Sequence, residues 1–414
     1  MHADAVRDIA AWLARTGLRG EDEVVLLREF CERCRNAGLP IGRGILIIDT
    51  LHPIYEGRGF RWREDDTNEE ALLEFRRNDE STSLGDWYAS PFYHLIQAGG
   101  GELRCRLHAG ETAGFNAIAE LAEAGQTDYL AIVHLFAANA VVGEMDNFAA
   151  RWTTARPGGF GDADIDALLH LTPILGLAIK TTSLVRVSET LVEAYLGHDP
   201  GQRVLKGRIA RGQVDKINAV LWFSDLKGFT ALSESMDTDQ LIPFLNDHAD
   251  VVISAIRQAG GDVLKLIGDG ILAIFGGQEP SAACHAALRA EADMRQRLAA
   301  LHERRREGGG MPVADVYLGL HVGDVFYGNI GSEDRLDFTV VGQAVNEVSR
   351  IGTMCVSAGR DVLLSSAFRE TLPEEDRDAL VSVGRYALRG VGRAQELFTL
   401  DPEGLGFLAA ADGQ

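Results

Sequence analysis

The stretch DVLKLIGDGILAIFGG, residues 262–277, places two short apolar runs on either side of a Gly-Asp-Gly turn. Apolar runs of this length joined by Asp-Gly predict two antiparallel strands connected by a tight hairpin turn. Asp269 then stands at the tip of the hairpin. Aspartate is also an ordinary choice for the turn itself, so Asp269 indicates chemistry only if a second acid lies beside it.

An earlier apolar run supplies that second acid. Residues 218–224, NAVLWFS, predict a buried strand, and Asp225 follows them, ahead of LKGFT and a helix that begins near Ala231. Such an acid is about as often a turn or capping residue. Two acids at the tips of adjacent strands can nevertheless bind two divalent cations together, with nucleotide phosphates completing the coordination. Asp225 and Asp269 are the candidate pair, and Gly228 lets the backbone approach a phosphate.

Three further polar residues stand out against apolar surroundings. Lys265 lies inside the first run of the hairpin, where an unpaired ammonium is costly to bury, so it should face a cleft or a partner. Residues 337–342, DFTVVG, predict a strand that leads into a helix carrying Asn346 and Arg350. These two residues are four apart and share one helix face, which taken alone is most simply an exposed polar face.

Together, the segments FSDLKGFT, KLIGDGILAIFG and DFTVVGQAVNEVSR, in this order, resemble the class III adenylyl and guanylyl cyclase catalytic domain. The resemblance covers residues 217–399. It implies an α/β, ferredoxin-like domain, predicted over 214–400, and conversion of ATP to cyclic AMP and pyrophosphate. A guanylate cyclase and a catalytically silent nucleotide-binding module are the alternatives. The silent module is disfavoured because such domains normally lack one of the motif acids, the asparagine or the arginine.

The resemblance also implies a role for each motif residue. Two divalent cations, Mg²⁺ or Mn²⁺, would be held by Asp225, Asp269 and the backbone carbonyl of Leu226. Asn346 would orient the ribose, and Arg350 would stabilise charge that develops on the α-phosphoryl oxygens. The remaining phosphate contacts would come from Lys227, Gly228, Phe229, Thr230 and Arg389, with Arg393 nearly as good a match as Arg389.

Base choice follows from two positions. Adenine presents an acceptor at N1 and a donor at its 6-amino group, and Lys265 can only donate. The second selector falls on Thr339, whose hydroxyl can accept from the amino group although it can also donate. The pair predicts ATP, and the threonine variant resembles a subgroup with reported bicarbonate responsiveness. Because family members share head-to-tail sites, the resemblance implies a homodimer in which a monomer is inactive.

Composition sets the broad class. At 414 residues the chain predicts two domains and a connector. A formal charge of −21 argues against nucleic acid as a partner, since phosphate backbones require a basic face. No run of eighteen apolar residues and no signal peptide is evident, so no membrane association and a cytoplasmic location are expected. Five scattered cysteines suit a reducing compartment.

The N-terminal half has its own pattern. Residues 1–161 are predicted to alternate between helices and strands in a pattern that resembles a GAF domain. A connector is predicted over 162–213, with a long helix at 162–196 whose first turn is acidic. A tail is predicted at 401–414, after the catalytic domain. The resemblance implies a small-molecule regulator, although a plain dimerisation domain is the alternative. The candidate pocket groups, which are more simply core residues, are Trp62, Tyr129, His134 and Trp152.

Overall fold

The computed structural model describes residues 1–64, 71–77, 83–137, 141–277, 279–308 and 311–401. The chain divides into two compact units, one over Met1–Leu191 and the other from Val192 on. The predicted domain limits stay predictions, and the tail at 402–414 lies outside the described residues.

The first unit is a six-stranded antiparallel sheet with the strand order β3-β2-β1-β6-β5-β4 and helices on both faces. Its elements, in chain order, are α1 (Ala3–Arg19), α2 (Glu23–Asn36), β1 (Arg43–Asp49), β2 (Tyr55–Arg63), β3 (Leu72–Arg76), α3 (Ser83–Tyr88), α4 (Pro91–Gln97), β4 (Gly101–Cys105), α5 (Asn116–Glu123), β5 (Asp128–Leu135), β6 (Asn147–Thr154) and α6 (Asp162–Leu196).

Alternate strand residues separate two apolar clusters, as the two-residue period of a strand requires. Leu130 and Ile132 pack in the cluster that includes residues of α1, α2 and α6. Tyr129, Ala131 and Val133 pack in the other cluster, with residues of α4 and α5. The sheet is therefore covered on both faces.

The four candidate pocket groups do not converge. Tyr129 and Trp152 are fully buried in different clusters, one on each face of the sheet. The Trp152 indole donates to the Thr172 hydroxyl of α6 over 3.0 Å. Trp62 is partly buried against the Trp152 cluster, and the imidazole of His134 is half-buried. Aromatic size and burial explain these residues as core rather than as one binding pocket.

Helix α6 has the bounds that its sequence pattern predicted, with Asp162 and Asp164 in its first turn. Among the described helices, α6 alone is long and apolar enough to cross a membrane, a criterion that buried core helices also meet. Half of its most apolar 18-residue segment is buried.

The second unit has a larger mixed sheet with the order β13-β14-β12-β10-β7-β9-β8, and β11 pairs with β10. The β10–β12 pair is parallel, and the other described pairs are antiparallel. Its elements are α7 (His198–Leu205), β7 (Val214–Leu226), α8 (Phe229–Ser235), α9 (Thr238–Gln258), β8 (Asp262–Ile267), β9 (Gly270–Phe275), α10 (Pro280–Glu307), β10 (Val316–Gly331), β11 (Leu336–Val341), α11 (Gln343–Ala358), β12 (Val362–Ser365), α12 (Ser366–Thr371), β13 (Leu380–Tyr386) and β14 (Gln395–Leu400).

Two local differences from the sequence expectations have physical causes. Helix α8 begins at Phe229, two residues before the predicted start, because Gly228 adopts a left-handed conformation with φ 69° and caps it. The stretch predicted as a plain linker contains α7, whose proline stands in the first turn, where a missing N–H costs nothing. Pro200 and Gly201 are buried, and the Asp199 amide donates to Asp262 over 3.2 Å.

A close approach between two glycines seats α11 on the sheet. A methyl group added to Gly319 of β10 would lie 2.6 Å from the Gly352 nitrogen and 2.7 Å from the Val348 carbonyl oxygen. Both contacts are backbone, which cannot yield as a flexible side chain does. Glycine at position 319 therefore fixes how near α11 comes to the sheet.

We expect Gly319→Ala to lower the free energy of unfolding by about 1–3 kcal/mol or more, since the helix must move away from the sheet. Urea denaturation of the full-length protein measures the change. Gly392→Ala is the control, because a methyl group there meets nothing within 4 Å. Equal stability of the two variants would show that the Gly319 contact is not a packing constraint.

Candidate active site

Asp225 and Asp269 meet where two paired strands of the second unit end. Strand β7 pairs with β9, with Ser224 opposite Ile271, and Asp269 occupies the turn between β8 and β9. The Leu226 amide donates to the Asp269 carboxylate over 3.2 Å. The structure thus brings together the two acids that the sequence paired.

The electrostatics of the pair favour a cation. Burial, and then the neighbouring Asp269 carboxylate, raise the pKa of Asp225 to about 7. Glycine suits position 270 beside this pair, because a Cβ there would lie 3.2 Å from the backbone oxygens of Ile267 and Ser224. Two carboxylates held together without a compensating positive side chain suit a divalent cation that relieves their repulsion.

A cavity of about 190 Å³ opens on these acids. Its lining also includes the apolar side chains of Ile242, Leu245 and Val252 from α9. Pockets that enclose a small-molecule ligand usually measure roughly 300–1,000 Å³. The cavity can therefore hold cations and part of a phosphate chain but not a whole nucleotide.

The donor set fits magnesium or manganese in kind and number. Within the described residues, no group of three or more His, Cys, Asp or Glu side chains forms a metal-ligating cluster. Mg²⁺ is commonly held by one or two carboxylates, with water and substrate phosphates supplying the rest. Two aspartates, with a neighbouring backbone carbonyl at Leu226, match that pattern.

The loop predicted to lie over a triphosphate follows directly. Gly228 is open to its surroundings, and Thr230 is exposed. Lys227, by contrast, is engaged by acids: its ammonium lies 2.6 Å from Asp361 and 3.4 Å from Asp315. These two partners come from distant segments of the chain, so no local pattern predicts them.

Lys265 has the partner that its apolar surroundings required. Its ammonium pairs with the Asp337 carboxylate, and the two side chains are about half-exposed. Asp337 and Thr339 are two residues apart on β11 and so project from the same face of the strand. Asp337 was missed as a site residue. Its spacing from Thr339 was the available signal.

Asn346 and Arg350 lie exposed on one side of α11, while Ala344, Val348 and Ile351 bury the other. The helix is also fixed by polar contacts around buried Glu347, which the sequence reasoning missed. The carboxylate of Glu347 accepts from Gln343 over 2.7 Å and from Gln395 over 2.9 Å, and it lies 3.4 Å from the His321 imidazole.

The cavity of the two aspartates is lined by only some of the predicted site residues, namely Asp225, Leu226 and Asp269. Five residues assigned to base, ribose and phosphate contacts do not line the described cavity of the two aspartates. They are Lys265, Thr339, Asn346, Arg350 and Arg389. Arg389 and Arg393 are exposed between β13 and β14.

Comparison with known proteins shows what the second unit is similar to. Residues 213–401 match the family model of the adenylate and guanylate cyclase catalytic domain. An adenylate cyclase of Anabaena cylindrica is 37% identical over 148 residues, which is 35% of this chain and 29% of that protein. Adenylate cyclase 1 of Rhizobium meliloti is 28% identical over 150 residues, 35% of this chain and 22% of that protein. The chain thus spans less than a third of the length of these two relatives.

Among solved structures, the adenylyl cyclase CyaB from P. aeruginosa aligns with a TM-score of 0.41 and 24% identity. The alignment covers 46% of this chain and 96% of that one.

Proposed function

We propose that residues 213–401 form a class III adenylate and guanylate cyclase catalytic domain. From this premise, we propose that the chain converts ATP to 3′,5′-cyclic AMP and pyrophosphate. The observation that carries the proposal is the pair Asp225–Asp269, which lines a small cavity and in which the pKa of Asp225 is raised. In the reaction the ribose 3′-oxygen bonds to the α-phosphorus. The bond from that phosphorus to the bridging oxygen breaks, and the hydroxyl proton passes to solvent.

Asp225 and Asp269, with the Leu226 carbonyl, would hold two divalent cations. When bound, such cations lower the pKa of an attacking hydroxyl and neutralise a departing phosphate group. The protein has little covalent chemistry to perform, and its task is to place the hydroxyl in line with the α-phosphorus.

The remaining residues position the substrate and stabilise charge. Asn346 orients the ribose, and Arg350 donates its planar fork to the α-phosphoryl oxygens as they gain charge. Arg389 contacts the terminal phosphates. The loop at 227–230 lies over the triphosphate chain, and the amides of residues 228–230 bind it, as free amides at a helix start can. The Lys227 amide already donates to the Asp315 carbonyl oxygen over 2.8 Å.

We infer a homodimer with two shared sites from the resemblance of the three motifs to the class III cyclases and from the apolar surface beside the predicted base-contact residues. Apolar side chains are exposed beside Lys265 and Thr339: Leu266 is 58% exposed, Ile267 49% and Val341 42%. Exposed apolar residues around a polar site suit a protein interface. A second copy would bring its Lys265, Thr339, Asn346 and Arg350 to the first copy's aspartates.

Selection of ATP rests on Lys265, supported by Thr339. The lysine donates to adenine N1, whereas guanine presents a donor at that position. The Asp337 carboxylate holds the ammonium beside Thr339, which keeps the donor directed at the base.

We expect Lys265→Glu to lower kcat/KM for ATP by roughly 10- to 100-fold, the effect of losing a hydrogen bond to a charged group. The ratio of ATP to GTP turnover should fall with it. Lys216→Glu is the control, because Lys216 also forms an exposed ion pair, with Asp324, on the same sheet. An unchanged ATP to GTP ratio in Lys265→Glu would remove Lys265 from base selection.

The function itself is tested with purified full-length protein, supplied with ATP or GTP and with Mg²⁺ or Mn²⁺. Cyclic AMP formed from ATP supports the proposal. A clear preference for GTP would identify a guanylate cyclase instead. Nucleotide binding without turnover under all four conditions would identify a silent module.

We further propose that the first unit is a GAF-like regulatory domain in a cytoplasmic protein. An antiparallel sheet covered on both faces and the acid-started helix α6 support this. Regulation would act by shifting the population of productive catalytic dimers.

A further inference from the structure

Four arginines gather at one end of one face of the first unit's sheet. Arg43 of β1 lies opposite Arg63 of β2, and Ile45 lies between Arg61 of β2 and Arg151 of β6. Because side chains alternate along a strand, all four project from the same face. We call this set, Arg43, Arg61, Arg63 and Arg151, the arginine face.

Arg151 occupies the interior of the sheet, between β1 and β5. In the described part of the structure, its Nε atom and that of Arg43 are buried without a hydrogen-bond partner. Burial lowers the pKa of Arg151; Tyr129 opposes the shift, and the charges of the other three arginines add to it. A charged guanidinium in such surroundings destabilises the protein unless an anion joins it.

Apolar residues border the arginine face. Tyr129 and Ala131, the next positions across the sheet on this face, are buried in the apolar cluster of α4 and α5. Guanidinium groups next to an apolar wall can hold an oxyanion and an attached organic part together. A basic cluster in a chain of net charge −21 is also not a consequence of composition.

We propose that the arginine face binds a small organic or inorganic oxyanion with two or more negative charges. Arg151 and Arg43 supply the donors that lack a partner; Arg61 and Arg63 already have interactions and add positive charge. Phosphate and carboxylate compounds share this chemistry. Binding of the anion does not depend on the proposed cyclase function. Only an effect of that binding on catalytic activity would rest on the proposed function.

The competing explanation is a counter-charge within the chain. The sequence after β2 is acidic at 64–70, and Glu64 already pairs with Arg35. If these acids alone balance the arginine face, no added anion should bind there.

Binding is measured by calorimetry and thermal unfolding of the full-length protein, in buffer freed of divalent cations on a chelating resin, with inorganic phosphate, pyrophosphate or succinate. Potassium chloride keeps the ionic strength constant. We expect saturable binding of at least one of these anions, with Arg151→Gln weakening it about 10-fold or more. Which anion binds distinguishes a phosphate from a carboxylate ligand. Arg15→Gln, which removes an exposed arginine from α1, should leave affinity unchanged.

Two further readouts separate this site from others. The double variant Arg350→Ala, Arg389→Ala should bind as the wild type does, which excludes the arginines of the candidate active site as the source of the signal. Without added anion, Arg151→Gln should have a higher melting temperature than the wild type, because the change removes a buried positive charge from a cluster of like charges. If Arg151 has only a structural role, the melting temperature of the variant should be lower than that of the wild type. Absence of saturable binding in the wild type overturns the proposal. Wild-type affinity in both Arg151→Gln and Arg43→Gln overturns it as well.

Discussion

Asp269→Asn is expected to reduce cyclic nucleotide formation by at least about 100-fold, with Asp225→Asn behaving alike. Asparagine keeps the shape of the side chain and an oxygen that can accept from the Leu226 amide, so the hairpin tip should stay in place. What it removes is one of the two negative charges that hold the cations. The rate is measured at saturating ATP over a range of Mn²⁺ concentrations.

Folding provides the internal check on these variants. Replacing one carboxylate relieves the repulsion that raises the pKa of Asp225, so the unfolding free energy should not fall. Asp324→Asn is the matched control, since Asp324 forms an exposed ion pair on the same sheet. Near wild-type turnover by both Asp225→Asn and Asp269→Asn would refute cation binding at this pair.

Local signals in the sequence were sufficient for the hairpin and its acid. The Asp-Gly pair and two apolar runs predicted β8, β9 and the position of Asp269, and the acidic first turn and long apolar pattern predicted α6 with its observed bounds. These features depend on neighbours in the chain. Helix α7 was not predicted, because the glycines and the proline in 197–212 are typical of a loop. Proline is compatible with a helix when it lies in the first turn, as Pro200 does in α7.

Features that depend on strand order could not be predicted in this way. Lys265 and Asp337 are 72 residues apart and meet only because β8 and β11 come together in the folded unit. The arginine face needs β1 to lie between β2 and β6. Strand β2, YEGRGFRWR, is too polar and glycine-rich to predict as a central strand, so Arg61 and Arg63 gave no warning of a shared face.

Mixing two inactive variants, Asp225→Asn and Arg350→Ala, is expected to restore activity. In a two-fold symmetric dimer, each site takes its aspartates from one subunit and its arginine from the other. A mixed dimer therefore has one site that lacks both groups and one site that is complete. With equal amounts and free exchange, half of the dimers are mixed, which gives about a quarter of the wild-type rate.

The measurement is ATP turnover after the two purified variants are mixed and allowed to exchange, with each variant alone at the same total concentration as the baseline. Asp225→Asn mixed with Asp269→Asn is the control, because both changes affect the same group of residues and no mixed dimer has a complete site. Rescue in the first mixture alone requires that the aspartates and Arg350 act across subunits. If gel filtration shows mixed dimers but the first mixture stays inactive, the aspartates and Arg350 do not act across subunits, and the proposal of shared sites is refuted.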